Sequence, residues 1–245
     1  MAGPATRAGS AHGQHFLRSS RFADELVRAA RVAPGESVLD IGAGHGALTR
    51  ALARVGADVV AVERDPRLAA ELRRAGFRVL EVDAVLLPWP REPFSIVANL
   101  PFAITTVLLA RLLGDPLVPL HRADLIVQLG FALKRTAAWP STLQGILWSV
   151  GYELSIARRI DRSAFAAPPS VDAAVLRVVR RPAPLVPARD FPASAAFVRN
   201  GFRQGSRPPI DRRLALEHGL ARRAGARDLA PEQWASLFRA VHPNR

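Results

Sequence analysis

Five short apolar runs, rich in β-branched residues, alternate with helix-period segments through the first half of the chain. They are Val38–Ile41, Asp58–Glu63, Arg78–Val82, Phe94–Asn99 and Ala123–Leu129, and each is predicted to be a buried strand. After the first run, Leu48, Ala51, Leu52 and Val55 share one helical face, and Gly56 supplies the stop. After the second, Asp65 is placed to cap a helix with Pro66 at its first position, Leu68 and Leu72 inside it and Gly76 at its end. Strands and helices in strict alternation predict an α/β fold built on a parallel, doubly wound sheet.

The pattern then changes. Gly151–Ile160 and Ala173–Arg181 are extended runs with no helix between them, joined by a loop that holds Pro168 and Pro169. They are predicted to form an antiparallel hairpin at one sheet edge. A parallel sheet finished in this way is the Rossmann-like arrangement of class I methyltransferases, and ordinary dinucleotide-binding domains lack it. Pro182, Pro184, Pro187 and Pro192 mark a linker, so the expected domains are 1–181 and 182–245. The second is expected to be small and all-α, with helices over Ala195–Phe202, Asp211–Arg223 and Pro231–Val241.

The chemistry is expected where strands end. Leu39-Asp40-Ile41-Gly42-Ala43-Gly44-His45-Gly46 lies at the first strand-to-helix junction. Glycines there permit a tight turn and close approach of a ligand. An acid before the loop would repel a pyrophosphate, yet it suits the cationic amino-acid half of S-adenosylmethionine. Glu63 ends the second strand and can accept from two ribose hydroxyls; Asp83 ends the third and can accept from an adenine amino group. The fourth strand ends in Asn99-Leu100-Pro101-Phe102. An exocyclic purine amine is a poor nucleophile because its lone pair is delocalised. Acceptors on its two N–H bonds favour a pyramidal nitrogen, and the Asn99 side-chain carbonyl and Leu100 main-chain carbonyl suit that task. Pro101 stiffens the turn, and Phe102 can stack on the base.

Charge points to the partner. Formal net charge is +13, and Lys134 is the only Lys among 34 cationic residues. Arg181 to Arg245 carries 12 Arg against five acids, a net of +7. A basic appendage on a more neutral domain is a polyanion-binding arrangement. Phosphate contacts are expected from Arg7, Arg18 and Arg21 with Arg203, Arg207, Arg212 and Arg213. There are no cysteines, which excludes disulfides and thiol nucleophiles and fits the cytoplasm. No apolar run approaches the roughly 20 residues of a membrane helix, and His12, His121, His218 and His242 lack metal-ligand spacing.

In order and spacing these motifs resemble the erythromycin-resistance family of rRNA adenine-N6 methyltransferases, related to the small-subunit rRNA adenine dimethylases. Gly13-Gln14-His15-Phe16-Leu17 is similar to the family's G-Q-N-F-L opening, with His15 where Asn is usual. Asp40 stands where the acid is often Glu. Asn99-Leu100-Pro101-Phe102 resembles the N-[LI]-P-[FY] motif. Phe165-Ala166-Ala167-Pro168-Pro169-Ser170-Val171-Asp172 resembles F-x-P-x-P-x-V-[DNS], with Ala167 in place of the first proline. Gly130-Phe131-Ala132-Leu133-Lys134-Arg135 is similar to a G-F-A-K-R stretch of the resistance branch.

The resemblance implies S-adenosylmethionine as cofactor. Gln14, His15, Leu17, Asp40, Gly42, Gly44, Gly46, Glu63, Arg64, Asp83, Ala84 and Asn99 would form its site. Asn99, Leu100, Pro101, Phe102 and Phe165 would act on the base, Phe165 packing against the flipped adenine. It further implies a cytoplasmic monomer acting on large-subunit (23S) rRNA before or during assembly, with macrolide, lincosamide and type B streptogramin resistance as the outcome. Three alternatives stand beside it: a small-subunit dimethylase, a DNA adenine-N6 methyltransferase, and a non-catalytic nucleic-acid-binding factor on the same fold. The middle Leu100 favours RNA over DNA enzymes, and the intact Asn99, Glu63 and glycines favour catalysis.

Overall fold

The computed structural model describes residues 15–138, 141–203, 217 and 224–242. Helix α1 spans Ser20–Ala30, followed by β1 (Ser37–Ile41), α2 (Ala47–Arg54), β2 (Asp58–Val62), α3 (Pro66–Arg74) and β3 (Arg78–Leu80). Then come β4 (Phe94–Asn99), α4 (Thr105–Gly114), β5 (Leu120–Gln128), α5 (Leu129–Thr136) and α6 (Leu143–Ser149). The strands β6 (Tyr152–Ile160) and β7 (Ala173–Arg180) close the sheet, and α7 (Phe191–Arg203) and α8 (Pro231–Val241) follow.

The seven strands run in the order β3-β2-β1-β4-β5-β7-β6. The first five are parallel, and β7 is antiparallel to both β5 and β6. This is the class I methyltransferase topology. The order reverses between β1 and β4, and a crevice opens there at the carboxyl ends of the strands. Local signals explain the helix starts. Asp65 accepts from Arg67 N–H at 2.8 Å, with Pro66 at the first helical position. Gly46 begins α2 from a left-handed conformation at φ 80°.

Each face of the sheet is buried. Leu39 and Ile41 face one side with Ile96, Leu108, Leu112 and Leu125. Val38 faces the other with Leu26, Val27, Leu48, Leu52 and Val97, so α1 and α2 cover that side. A third cluster joins Val186, Phe197, Val198, Trp234, Leu237 and Phe238 to Ile146 and Val150 at α6. The C-terminal helices thus share their core with α6.

The predicted strands lie in place with small changes. β3 ends at Leu80, short of the expected Val82, because it pairs only with β2. β5 begins at Leu120 and ends at Gln128. Helix α7 starts four residues earlier than the expected Ala195. The expected helix Asp211–Arg223 lies outside the described residues, except for Glu217, as do Gln14, Arg7, Arg207, Arg212 and Arg213. Among the described residues no helix is long and apolar enough to cross a membrane.

Candidate cofactor and base site

The cleft at the carboxyl ends of β1, β2 and β4 is lined by Gly42, Val62, Glu63, Arg64, Val82, Asp83, Ala84, Pro101, Ala103 and Ile104. It brings together five of the expected cofactor residues: Gly42, Glu63, Arg64, Asp83 and Ala84. Val62, Val82, Ala103 and Ile104 were not anticipated. Their signal was their place, next to Glu63, next to Asp83 and directly after the Asn99-to-Phe102 motif.

Glu63 is buried, 1% exposed, and its two oxygens each accept one backbone N–H, from Gly44 and from Asp65, both at 2.9 Å. A carboxylate has about four lone-pair sites, so each oxygen retains capacity for a hydroxyl. Asp83 has one oxygen held by Val85 N–H at 2.9 Å and the other 3.6 Å from the Arg64 guanidinium. Two fixed carboxylates with an apolar wall of Val82, Ala84 and Ile104 between and beside them fit an adenosine: hydroxyls at one end, an amino-bearing ring at the other. These acceptors and the apolar wall fit S-adenosylmethionine.

Of the other expected cofactor residues, Gln14 lies outside the described residues, and His15, Leu17, Asp40, Gly44, Gly46 and Asn99 lie around the cleft and do not line it. Asp40 is 1% exposed and points away, toward α2, where its carboxylate accepts from Thr49 Oγ1 at 2.6 Å. Burial raises its pKa from 3.8 to about 7; the Thr49 hydrogen bond opposes the rise and the nearby Glu63 charge adds to it. Gly44 and Gly46 have φ of 57° and 80°. A Cβ on Gly44 would fall 2.7 Å from the Phe16 ring, and one on Gly46 would fall 2.5 Å from Leu72. Those glycines admit the protein's own side chains.

His15 and Leu17 belong to a second structure. Leu17 makes an antiparallel bridge with Phe165, supported by Arg18 N–H to the Ala164 carbonyl at 2.9 Å and Ala166 N–H to the Phe16 carbonyl at 2.8 Å. The N-terminal motif and the late proline loop therefore form one two-stranded strap. Asn99, at the end of β4, donates from Nδ2 to the His15 carbonyl at 2.6 Å. This turns its own carbonyl away from the strap. Leu100 is buried and its N–H donates to the Ile126 carbonyl at 3.3 Å. Ile104 N–H closes the turn onto the Pro101 carbonyl at 3.1 Å.

The aromatic groups differ from expectation. Phe165 is 0% exposed and packs in the core with Phe102 against it. The His15 ring lies 6.2 Å from Phe165, edge-on at 72°, and 5.5 Å from Phe102. The Phe165 face is covered in this arrangement, so it supports the site from below. The aromatic surface left partly open at the motif belongs to Phe102 and His15.

The sequence matches the ribosomal RNA adenine dimethylase family over residues 6–241. It is 33% identical to the mycinamicin-resistance protein MyrB of Micromonospora griseorubida, covering 93% of this chain and 77% of that one. It is 37% identical to ribosomal RNA small subunit methyltransferase A of a Synechococcus strain, over 78% of this chain and 73% of that one. Among solved structures it is similar to the 23S rRNA methyltransferase ErmE, with a TM-score of 0.78 at 28% identity, covering 93% of this chain and 99% of that one. Glycine loop, paired strand-end carboxylates and Asn-Leu-Pro-Phe turn thus sit on a chain that belongs to the ribosomal RNA adenine dimethylase family, S-adenosylmethionine-dependent enzymes that methylate adenine in ribosomal RNA.

Proposed function

We propose that this chain methylates N6 of an adenine in large-subunit (23S) rRNA and so confers resistance to macrolides, lincosamides and type B streptogramins. The observation that carries this reading is the likeness to ErmE. It covers 93% of this chain, which leaves too few residues to omit the C-terminal helices. The similarity to a mycinamicin-resistance protein supports it. A methyl group on the base adds bulk where such a drug must pack. The reading includes a cytoplasmic monomer with a methyltransferase domain over 1–181 and an RNA-binding domain over 182–245, acting on the rRNA before or during assembly.

S-adenosylmethionine, when bound, supplies a methyl group on a sulfonium. Glu63 and Asp83 would hold its nucleoside. A target base in a hairpin must leave its stack to reach the cleft, and Phe102 with His15 offers the ring surface that receives it. The Asn99 side-chain carbonyl and the Leu100 main-chain carbonyl accept the two N–H bonds of the amine and free its lone pair. Asn99 is held for this by His15.

The second reading, a small-subunit dimethylase, is favoured by the Synechococcus relative. Primer extension on rRNA from cells with and without the protein separates the two. A dimethylated adenine stops reverse transcriptase. A new stop in the large-subunit rRNA is the expected result; a stop only in the small-subunit rRNA overturns the proposal.

A further inference from the structure

The two walls of the cofactor cleft come from different parts of the chain. Val82, Asp83 and Ala84 follow β3, whereas Pro101, Ala103 and Ile104 lie between β4 and α4. A connection between parallel strands usually carries an α-helix. Among the described residues, the connection from β3 to β4 holds only one short tight-helical turn, Ala84–Leu86. The backbone bonds of that turn are local: Leu86 N–H donates to the Asp83 carbonyl at 2.8 Å, and Leu87 N–H to the Ala84 carbonyl at 3.3 Å. The first wall therefore needs another anchor.

Arg111 of α4 supplies it. Its guanidinium donates to the Val85 carbonyl and, at 3.1 Å, to the Leu87 carbonyl. The guanidinium carbon lies 5.4 Å from the centroid of the Trp89 ring. Trp89 in turn stacks on Phe94 at the start of β4, with 6.1 Å between centroids and 14° between planes. Leu87 is fully buried in the cluster that holds Leu108 and Leu112 of α4. A chain of bonds leads from Arg111 to the site. Val85 N–H donates to the Asp83 carboxylate at 2.9 Å, so the residue that Arg111 grips by its carbonyl is the one that orients Asp83. The other end of α4 grows from the Asn99-to-Phe102 turn: Thr105 Oγ1 donates to the Pro101 carbonyl at 3.3 Å, and Ile104 lines the cleft.

We propose that Arg111 is a positioning residue for S-adenosylmethionine, which fixes the Asp83 carboxylate through Val85 and sets the spacing of the two walls around the adenine. One planar fork reaching two carbonyls holds the first wall in place before the cofactor arrives, and a preset wall binds more tightly than one ordered on binding. Arg111 does not itself line the cleft. Its loss should therefore weaken the cofactor in the ground state and the transition state alike. The inference rests on the reading of Glu63 and Asp83 as the nucleoside site, and not on which ribosomal subunit is methylated.

The test uses the full chain, with R111M, R111Q and R111K as variants and E63Q alongside. Calorimetry gives the affinity for S-adenosylmethionine, hydrogen exchange gives the protection of the Val85, Leu86 and Leu87 amides, and methyl transfer to a hairpin RNA gives kcat and KM. R111M removes every donor and is expected to lose about tenfold in cofactor affinity, with faster exchange at those three amides. Its kcat at saturating cofactor should stay within about twofold of wild type, as for a loss of uniform binding, and its hairpin affinity should not change. R111K keeps the charge and the donors and should recover most of the loss. R111Q keeps one neutral donor group and should fall between them; it carries the test if melts show that R111M does not fold. A folded R111M or R111Q with wild-type cofactor affinity, beside a weakened E63Q, overturns the assignment of Arg111. So does a loss shared equally by cofactor affinity, kcat and hairpin affinity, since that is general damage. R111K no tighter than R111M overturns the hydrogen-bond route. If E63Q also binds like wild type, the cleft is not the nucleoside site, and this inference falls with that reading.

Discussion

His15 Nδ1 lies 2.9 Å from the Ala167 carbonyl oxygen, so the two positions at which the strap departs from its family's motifs are bonded to each other. A carbonyl only accepts, so the ring carries a proton on Nδ1. Elsewhere in the family a proline at 167 would stiffen this loop through its own ring; here a side chain from the opposite strand ties it. His15→Ala is expected to cut turnover severalfold, since one neutral hydrogen bond contributes roughly 1 kcal/mol. Ala167→Pro should be mild alone and should recover much of the loss in the double variant. A double-mutant cycle on single-turnover methyl transfer reads this coupling. Strict additivity would show that the two departures are unrelated.

Asn99 is held by the same strap, through its 2.6 Å hydrogen bond to the His15 carbonyl. Its contact with the target amine matters most as the nitrogen becomes pyramidal. Asn99→Ala is therefore expected to lower turnover by roughly 100-fold, the scale of one lost acceptor or donor at a reacting centre. RNA and cofactor affinities should change far less. Wild-type-like turnover would remove Asn99 from the reaction and favour a non-catalytic reading.

Phe165 is buried, so its removal is expected to act first on stability. Phe165→Ala in a packed core costs about 3–5 kcal/mol, seen as a large drop in melting temperature. His15→Phe, which keeps an aromatic surface beside Phe102, should preserve base stacking. The readout is quenching of 2-aminopurine placed at the target position of a hairpin. Quenching lost in a folded Phe165→Leu but kept in Phe165→Tyr and in His15→Ala would restore Phe165 as the stacking face.

These outcomes mark where the sequence was legible. β4 occupies Phe94–Asn99 as read from its apolar run, and the hairpin of β6 and β7 was visible from two extended stretches without a helix between them. Glu63 and Asp83 fall in one cleft because parallel strands bring their ends together. Asp40 was read in place but not in direction. Side chains alternate along a strand, and Asp40 shares the face of Val38, under α2, while Leu39 and Ile41 take the other. The pairing of Leu17 with Phe165 joins residues far apart in the chain, and no local pattern encodes it. Helix α1 escaped notice although Ala23, Leu26, Val27 and Ala30 carry a helical period; Ser19 makes no capping bond that would have marked its start.

Asp40 gives a pH prediction. Its folded pKa of about 7 exceeds the ordinary 3.8, so the folded state binds its proton more tightly than the unfolded state does. Its contribution to stability is therefore best at low pH, declines as pH rises from about 4 to 7, and is least favourable above that. Asp40→Asn keeps an acceptor for Thr49 and removes the charge. At pH 8 the variant is expected to be more stable than wild type by about 2–4 kcal/mol, with the difference shrinking toward pH 5. Thermal melts at the two pH values check it. A variant that is equally destabilised at both would show that the carboxylate is needed as such.

Glu63 carries the sharpest test of the cofactor site. It lines the cleft, and it also holds the loop by accepting from Gly44 and Asp65. Glu63→Ala removes both roles at once, so a loss of affinity alone would be ambiguous. Glu63→Gln keeps the shape and one carbonyl acceptor while removing the charge. Hydrogen bonds to charged groups contribute roughly 1.5–3 kcal/mol. Affinity for S-adenosylmethionine in calorimetry should accordingly fall by about one to two orders of magnitude in Glu63→Gln, with a smaller change in melting temperature than in Glu63→Ala. Asp40→Asn serves as the control, because Asp40 lies behind the cleft and its neutralisation should weaken binding less. If Glu63→Gln is folded and binds the cofactor like wild type, Glu63 serves the loop alone and the ribose must be held elsewhere.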